Sequence, residues 1–299
     1  MQNDSLVTVI CLCYNHAEYV EEALNSVINQ TYKNIELIIA DDFSTDNSVQ
    51  VIENWLKIHP EISFVKNKKN VGNTTTFNQC LKIAKGAYII DLAADDILLP
   101  ETIEKQLKGF ANSTYENLGI VYGNLELVTN DKKHLRYFLP VDANYKRLNP
   151  ERTGDIYIGL LDGTNNMGAV ASMVKREVFD TLGGYDENLA YEDYDFWIRA
   201  ARLYNFDYID EILIVKRMLE NSLETQAFKK WNKKTRKFNY STYLILKKVF
   251  ALNKNKEEFI AMLKRVHYEM TVAFATRDLL LLFKYIIFEL KVRLKIKTL

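Results

Sequence analysis

Residues 7–48 read VTVICLCYNHAEYVEEALNSVINQTYKNIELIIADDFSTDNS, and the order of patterns within this segment determines the architecture of the chain. Two runs, 6–13 and 35–40, are apolar and rich in valine and isoleucine, which is typical of strands buried on both faces of a sheet. Between them, residues 17–29 place apolar side chains at helical spacing. A strand, a helix and a strand in this order predict a parallel βαβ unit.

The same alternation continues beyond this segment, and residues 129–168 are expected to be irregular. The further predicted strands cover 62–65, 88–92, 120–128, 169–174 and 206–217. The further predicted helices cover 46–59, 74–85, a segment that starts near Pro100, 193–203 and three or so stretches after 220. We therefore predict an α/β fold over residues 1–220, with a Rossmann-like, mostly parallel sheet flanked by helices, and an α-helical C-terminal region over 221–299.

The composition is that of an ordinary globular protein, with 48% hydrophobic and 26% charged residues in a chain of 299. It excludes a collagen, a long coiled coil and a wholly disordered chain. The net charge is zero, but residues 221–299 carry 18 lysines and arginines against 6 acidic residues, so the rest of the chain is acidic. An asymmetry of this size indicates a surface that meets a partner.

Two acidic doublets follow predicted strands directly: Asp41-Asp42 and Asp95-Asp96. The carboxyl ends of parallel strands form the edge at which ligands of such sheets bind, so we expect these carboxylates to converge. Converging carboxylates repel each other unless a cation is present, and oxygen ligands favour Mg²⁺ or Mn²⁺ over zinc. Since the same cation would neutralise a diphosphate, the doublets predict a nucleotide–metal site. Helix capping and turn formation remain the alternative for both doublets.

A third acidic cluster, Glu192-Asp193 with Asp195, lies at the start of a predicted helix. Acidic side chains there complement the helix dipole, which is one interpretation. The other is a general base, since a carboxylate beside an acceptor hydroxyl accepts its proton as a bond forms.

These motifs, taken together and in order, resemble family 2 of the inverting glycosyltransferases, which have the GT-A fold. The resemblance covers roughly residues 5–218. The matching positions are Tyr14-Asn15, Ser26, Gln30, Tyr32, Asp41, Asp42, Ser44, Asp46, Asn70-Val71-Gly72, Asn78, Asp95-Asp96 and the segment GGYDENLAYEDYDFWIR at 183–199.

The resemblance implies the roles of these residues. The donor nucleotide sugar would be bound by Tyr14, Asn15, Asp41, Asp42 and Asp95, and the metal by Asp95 and Asp96. Asp193 would be the catalytic base, with Glu192 beside it holding the acceptor or a loop. We therefore expect a metal-dependent enzyme that moves a sugar, with inversion, from a UDP-sugar to a glycan or lipid-linked acceptor in surface polysaccharide synthesis.

Three positions depart from the family pattern. Ala93 stands where the family has a further aspartate, Phe77 where it often has arginine, and Leu219 where many members have a metal-binding histidine. Arg217 could offset diphosphate charge, or be an ordinary surface arginine. Two alternatives therefore stay open: a catalytically impaired nucleotide-sugar-binding protein on the same fold, and a sugar nucleotidyltransferase, which would release pyrophosphate.

The basic C-terminal region predicts a membrane partner. Residues 229–237 and 290–297 alternate basic with apolar positions, and with the apolar run 279–288 they indicate helices lying on an anionic membrane face. A solvated basic face packed on the acidic body is the alternative. No nucleic-acid motif is present, so no nucleic-acid partner is expected. The oligomeric state, a homo-oligomer included, stays open.

The sequence also bears on location. Cys11 and Cys13 fall on one face of the first predicted strand, which is typical of small buried residues in a reducing compartment. The first residues lack the basic-then-apolar pattern of a signal peptide, and the longest apolar run falls short of the about 20 residues that span a bilayer. We therefore expect a cytoplasmic protein, peripheral on the inner face of the cell membrane.

Overall fold

The computed structural model describes residues 4–149, 153–219 and 228–299. The chain forms two compact units. The sheet unit consists of Met1–Gly154, Met167–Tyr185 and Leu203–Met218, and the helical unit consists of Asp155–Asn166, Asp186–Arg202 and Leu219–Leu299. The helical unit thus includes two segments that precede residue 220, Asp155–Asn166 and Asp186–Arg202. The domain boundary at residue 220 stays a prediction.

Nine strands and five α-helices of the described residues belong to the sheet unit. The strands are β1 (Val7–Cys13), β2 (Ile35–Asp41), β3 (Ser63–Lys66), β4 (Tyr88–Ala93), β5 (Ile97–Leu98), β6 (Leu118–Val128), β7 (His134–Tyr137), β8 (Ser172–Lys175) and β9 (Asn205–Arg217). The helices are α1 (Val20–Ile28), α2 (Ser48–Leu56), α3 (Asn73–Ile83), α4 (Thr102–Asn112) and α6 (Arg176–Leu182).

The strands form one sheet in the order β3-β2-β1-β4-β8-β6-β9-β5, and β7 pairs with β6. The first four strands are parallel, with Cys13 opposite Asp41 and Leu12 opposite Ala93. β8 runs antiparallel to both of its neighbours, and β9 is parallel to β6. The predicted α/β fold is confirmed, with the parallel strands grouped in the half of the sheet that the first 93 residues build.

Burial on both faces explains why β1 and β2 lack polar alternation. In β1, Val9 and Cys11 point to one face and Ile10 to the other, and all three are fully buried. Cys11, Cys13 and Cys80 are buried free thiols, as expected of small core residues.

A buried polar bridge joins the end of α1 to the chain that follows the Asp95-Asp96 doublet. Gln30 is fully buried, and its Nε2 donates to the Leu99 carbonyl (2.7 Å) while its Oε1 accepts from Ile103 N (3.2 Å). Ser26 Oγ accepts from Leu98 N (3.1 Å). The Ser26 and Gln30 positions of the family pattern therefore hold the segment after the second doublet against α1.

The prediction that residues 129–168 are irregular was wrong in two places. It contains β7, an exposed polar strand that pairs with β6 as a hairpin, and the short helix α5 (Tyr157–Asp162) of the helical unit. Neither has the apolar periodicity that predicts an element, because one is an exposed edge strand and the other spans only 6 residues.

The helical unit contains α5, α7 (Asp193–Ala200), α8 (Lys233–Leu252), α9 (Lys256–Ala275) and α10 (Leu279–Thr298). The last three helices begin at side-chain caps: Asn232, Asn255 and Asp278 each accept a backbone N–H of the first turn. The predicted C-terminal helices are thus confirmed. Within 4–149, 153–219 and 228–299, no helix combines the length and apolar character needed to cross a membrane.

The Gln30 bridge yields a stability prediction. Gln30→Ala should lower the free energy of unfolding by about 2 kcal/mol, because it leaves the buried Ile103 N–H without a partner and removes one of the two hydrogen bonds that the Leu99 carbonyl accepts. Gln50→Ala, at an exposed position of α2, is the matched control and should change it by less than about 0.5 kcal/mol. Urea unfolding followed by circular dichroism measures both, and equal effects would contradict the bridge.

Candidate active site

The loops that follow β1 and β2 are hydrogen-bonded to each other. Asp42 N donates to the Cys13 carbonyl (2.9 Å), and Asn15 N donates to Ser44 Oγ (2.9 Å). The Asn15 side chain accepts from Thr45 N (2.7 Å). Asn15, predicted to bind the donor, therefore uses its amide oxygen to fix the second loop.

Asp41 presents an unusual carboxylate at the end of β2. The side chain is fully buried, and its Oδ1 accepts from Ser44 N (2.9 Å). Its Oδ2 is buried without a hydrogen-bond partner. Buried polar atoms are nearly always satisfied, so an oxygen of this kind is suited to a donor group supplied by a ligand.

Asp42 holds a neighbouring loop. Its Oδ1 accepts from Val71 N (2.8 Å) and Asn67 Nδ2 (3.0 Å), and its Oδ2 accepts from Gly72 N (2.8 Å). Gly72 has φ 90°, a conformation that favours glycine. The Asn70-Val71-Gly72 motif is thus the loop that Asp42 anchors, and both carboxylate oxygens of Asp42 take part in this anchoring.

The two aspartates of the second doublet, Asp95 and Asp96, also differ in their hydrogen bonds and in their burial. Asp96 is buried and its Oδ1 accepts from Arg217 N (3.2 Å). Burial, and then the charge of Asp95, raise the pKa of Asp96 to about 7. Asp95 is partly exposed, and its Oδ1 lies 3.6 Å from His16 Nδ1, a buried nitrogen without a hydrogen-bond partner.

Arg217 ties this doublet to α1. Its buried guanidinium donates to the Asp95 carbonyl (2.5 Å), pairs with Glu22, and lies 5.0 Å from the centre of the Tyr19 ring. Burial alone would raise the pKa of Glu22, but Lys132 and Arg217 lower it below its usual value. Arg217 is therefore not a surface arginine but a residue that positions the Asp95 turn.

The departure at Phe77 has a packing explanation. Phe77 is fully buried, and its ring centre lies 4.4 Å from that of Tyr185 and 5.3 Å from that of Phe179. An arginine would have to desolvate its charge in this aromatic cluster. Phe77 therefore belongs to the core of the sheet unit.

The third acidic cluster, Glu192, Asp193 and Asp195, contains one buried residue that forms ion pairs and two residues that are partly exposed. Asp195 is buried and pairs with Arg199 (2.8 Å) and Lys248 (2.7 Å). Glu192 occupies the N-cap position of α7 without a side-chain cap hydrogen bond, Asp193 is the first residue of the helix, and both are partly exposed. Asp193 Oδ1 accepts from Tyr194 N (2.6 Å).

The donor atoms near Asp95 fit a cation that shares its ligands with a substrate. Among the described residues, no group of three or more His, Cys, Asp or Glu side chains could hold a metal ion by itself. Mg²⁺ sites in proteins commonly use one or two carboxylates together with substrate phosphates. Asp95 supplies one such carboxylate, and His16 Nδ1, which has no hydrogen-bond partner, is a nitrogen donor 3.6 Å from it.

Solved structures share this architecture. TarS of S. aureus in complex with UDP-GlcNAc superposes with a TM-score of 0.66 at 16% identity, over 90% of this chain and 74% of that chain. The mannosyltransferase PcManGT of Pyrobaculum calidifontis, in complex with GDP-Man and Mn²⁺, gives 0.62 at 18% identity, over 91% and 72%. The fold is that of the GT-A glycosyltransferases.

The sequence relationship defines the family. Residues 8–183, more than half of the chain, match glycosyl transferase family 2. An uncharacterized glycosyltransferase of Methanocaldococcus jannaschii is 32% identical over 217 residues, which are 71% of each chain. The chain therefore belongs to glycosyl transferase family 2 and is a glycosyltransferase.

The sequence analysis gave no role to His16 and did not find the positioning role of Arg217. His16 Nδ1 lies 3.6 Å from Asp95 Oδ1, and the Arg217 guanidinium donates to the Asp95 carbonyl. A histidine or an arginine next to a turn carries no periodic signal, and the partners of both are distant in sequence.

Proposed function

We propose that this glycosyltransferase transfers a sugar, with inversion, from a UDP-sugar to a glycan or lipid-linked acceptor in surface polysaccharide synthesis. The observation that carries the donor assignment is Asp41 Oδ2, a buried and unsatisfied oxygen at the carboxyl edge of the parallel strands. A ribose hydroxyl or a base N–H would donate to it. TarS binds UDP-GlcNAc, which supports UDP as the nucleotide.

Mn²⁺ or Mg²⁺ is the proposed cofactor, held by the Asp95 carboxylate with His16 Nδ1 beside it. When bound, the cation supplies positive charge that stabilises the leaving nucleoside diphosphate. PcManGT binds Mn²⁺ together with GDP-Man, which supports the choice of metal. Asp96 comes second to Asp95 as a ligand, because its Oδ1 already accepts from Arg217 N.

Asp193 is the proposed general base. Its place in the first turn of α7 favours the ionised form, since the helix dipole stabilises negative charge there. Asp193 would accept the proton of the acceptor hydroxyl as the oxygen attacks the anomeric carbon from the face opposite the diphosphate. Glu192 would hold the acceptor. Asp195 is a poor candidate, because two ion pairs occupy its carboxylate.

A membrane face is proposed for α10. One side of this helix packs within the helical unit through Leu281, Tyr285, Phe288 and Val292. The other side exposes a stripe of large apolar side chains at helical spacing: Leu279, Leu280, Phe283, Ile286, Ile287, Leu290 and Leu294. Five basic residues and one acidic residue accompany it on the helix: Lys284, Lys291, Arg293, Lys295, Lys297 and Glu289. An apolar stripe with basic flanks matches an anionic bilayer surface, where a lipid-linked acceptor is presented.

The donor site is tested by a thermal-shift panel of nucleotide sugars with and without Mn²⁺. UDP-sugars should raise the melting temperature, and Mn²⁺ should increase this shift, because ligands that bind the native state stabilise it by about 2.7 kcal/mol at 100 times Kd. Asp95→Asn should abolish the additional rise in melting temperature that Mn²⁺ produces. Asp131→Asn, at an exposed hairpin position, is the matched control. A panel without any shift would contradict the proposed donor class.

The base is tested by Asp193→Asn. Transfer, followed as release of UDP in the presence of acceptor-bearing membranes, should fall by at least about 10²-fold, while affinity for UDP stays unchanged. Asp195→Asn should instead lower the melting temperature, because it breaks two ion pairs. Near-native turnover of Asp193→Asn would exclude it as the base. Release of pyrophosphate by the wild type would indicate a nucleotidyltransferase, and absence of any product would indicate a nucleotide-sugar-binding protein.

The membrane face is tested by co-sedimentation with vesicles. The wild type should bind vesicles containing 30% phosphatidylserine, on the order of 10-fold more than pure phosphatidylcholine, and binding should weaken with salt. The double variant Leu290→Glu, Leu294→Glu should lose this binding. The matched control Ile58→Glu, Ile83→Glu changes two exposed isoleucines of the sheet unit and should keep it. Equal binding of the two double variants would overturn the assignment of α10.

A further inference from the structure

Phe43 adopts a backbone conformation that its side chain disfavours. Its φ is 67°, in the left-handed region where glycine and asparagine are common and bulky residues are outliers. Glycine would adopt this turn without strain. Residues held in such conformations cluster at active sites and ligand-binding sites. The φ of Phe43 therefore suggests that its phenyl ring contacts a ligand.

The hydrogen bonds between the two loops bring Tyr14 and Phe43 into neighbouring turns. Asp42 N donates to the Cys13 carbonyl on one side of this pair, and Asn15 N donates to Ser44 Oγ on the other, each at 2.9 Å. Residues 14 and 43 therefore lie in adjacent turns that are hydrogen-bonded to each other on both sides of the pair.

Both aromatic side chains are available to a ligand. Tyr14 is 45% exposed and Phe43 is 48% exposed, while Asp41 between the strand end and the turn is fully buried. In the part of the chain that the structure describes, neither ring has an aromatic partner. The unsatisfied Asp41 Oδ2 lies two residues before Phe43, so a hydrogen-bond acceptor and two apolar ring surfaces belong to one pair of turns.

We propose that Phe43 is a specificity-determining residue that contacts the planar base of the donor nucleotide, opposite Tyr14. This proposal rests on the proposed donor site and assigns it a second aromatic wall. Base–aromatic contacts contribute to nucleotide affinity through the face of the ring and need no hydrogen bond, so Phe43 acts on the base and not on the diphosphate. The strained turn is retained because the ring strengthens nucleotide binding.

The experiment measures UDP and GDP affinity by isothermal titration calorimetry, with pyrophosphate as a probe that has no base, all in the presence of Mn²⁺. Phe43→Asn should weaken binding of the preferred nucleotide by about 10-fold and leave pyrophosphate affinity unchanged. Its melting temperature should stay equal or rise, because asparagine tolerates this φ. Phe43→Tyr, which keeps an aromatic ring at this position, should bind the nucleotide with the affinity of the wild type.

Tyr145→Asn is the matched control. Tyr145 is also an aromatic residue at positive φ (62°), it is 59% exposed, and it lies in a different turn of the sheet unit. The same relief of strain should leave nucleotide affinity unchanged there. If the wild type binds UDP or GDP and Phe43→Asn binds equally well, Phe43 has no role in recognition while the donor site stands. If the wild type binds neither nucleotide, the donor site and this inference both fail.

Discussion

The parallel pairing of β1 with both β2 and β4 is the constraint on which the candidate site depends. Because the three strands run in the same direction, the ends of β2 and β4 lie on either side of the end of β1. Cys13 lies opposite Asp41, and Leu12 lies opposite Ala93, two residues before Asp95. A shift of one residue in either register would turn these carboxylates to the other face of the sheet. The buried Thr8 of β1 holds that register on both sides, since its Oγ donates to Glu36 Oε2 of β2 (2.5 Å) and accepts from Gly86 N just before β4 (2.9 Å).

Each acidic cluster combines one structural carboxylate with one that remains accessible or unsatisfied. Asp42 anchors the loop around Gly72, and Asp96 accepts from Arg217 N. Asp195 joins α7 to α8 through Lys248. These residues hold their neighbours in place, because their hydrogen bonds and ion pairs join segments that are distant in sequence. In each aspartate doublet, one residue therefore holds a neighbouring segment, and the other is the one that we propose for ligand binding.

The sequence predicts the regular part of this structure well, because buried strands and amphipathic helices carry their own periodicity. The strand at Val7–Cys13 and the helix at Asn73–Ile83 agree with the predicted elements to within two residues. The site is less predictable, since its decisive contacts join residues far apart in the chain. Arg217 reaches the Asp95 carbonyl across 122 positions, and no local pattern marks that contact. The hydrogen bond from Asn15 N to Ser44 Oγ, which joins the two loops beside Phe43, likewise links residues 29 positions apart.

The reduced ligand set around Asp95 has a thermodynamic consequence. With Ala93 in place of a further carboxylate, the described residues offer a cation two neighbouring side chains, Asp95 and His16. A divalent cation that prefers six ligands would take most of the others from water or from a diphosphate. Cation and nucleotide would then strengthen each other's binding by the same factor, because coupling between two ligands is reciprocal. A small number of protein ligands therefore does not by itself argue against the proposed metal; the affinity for metal would belong to the nucleotide complex more than to the free protein.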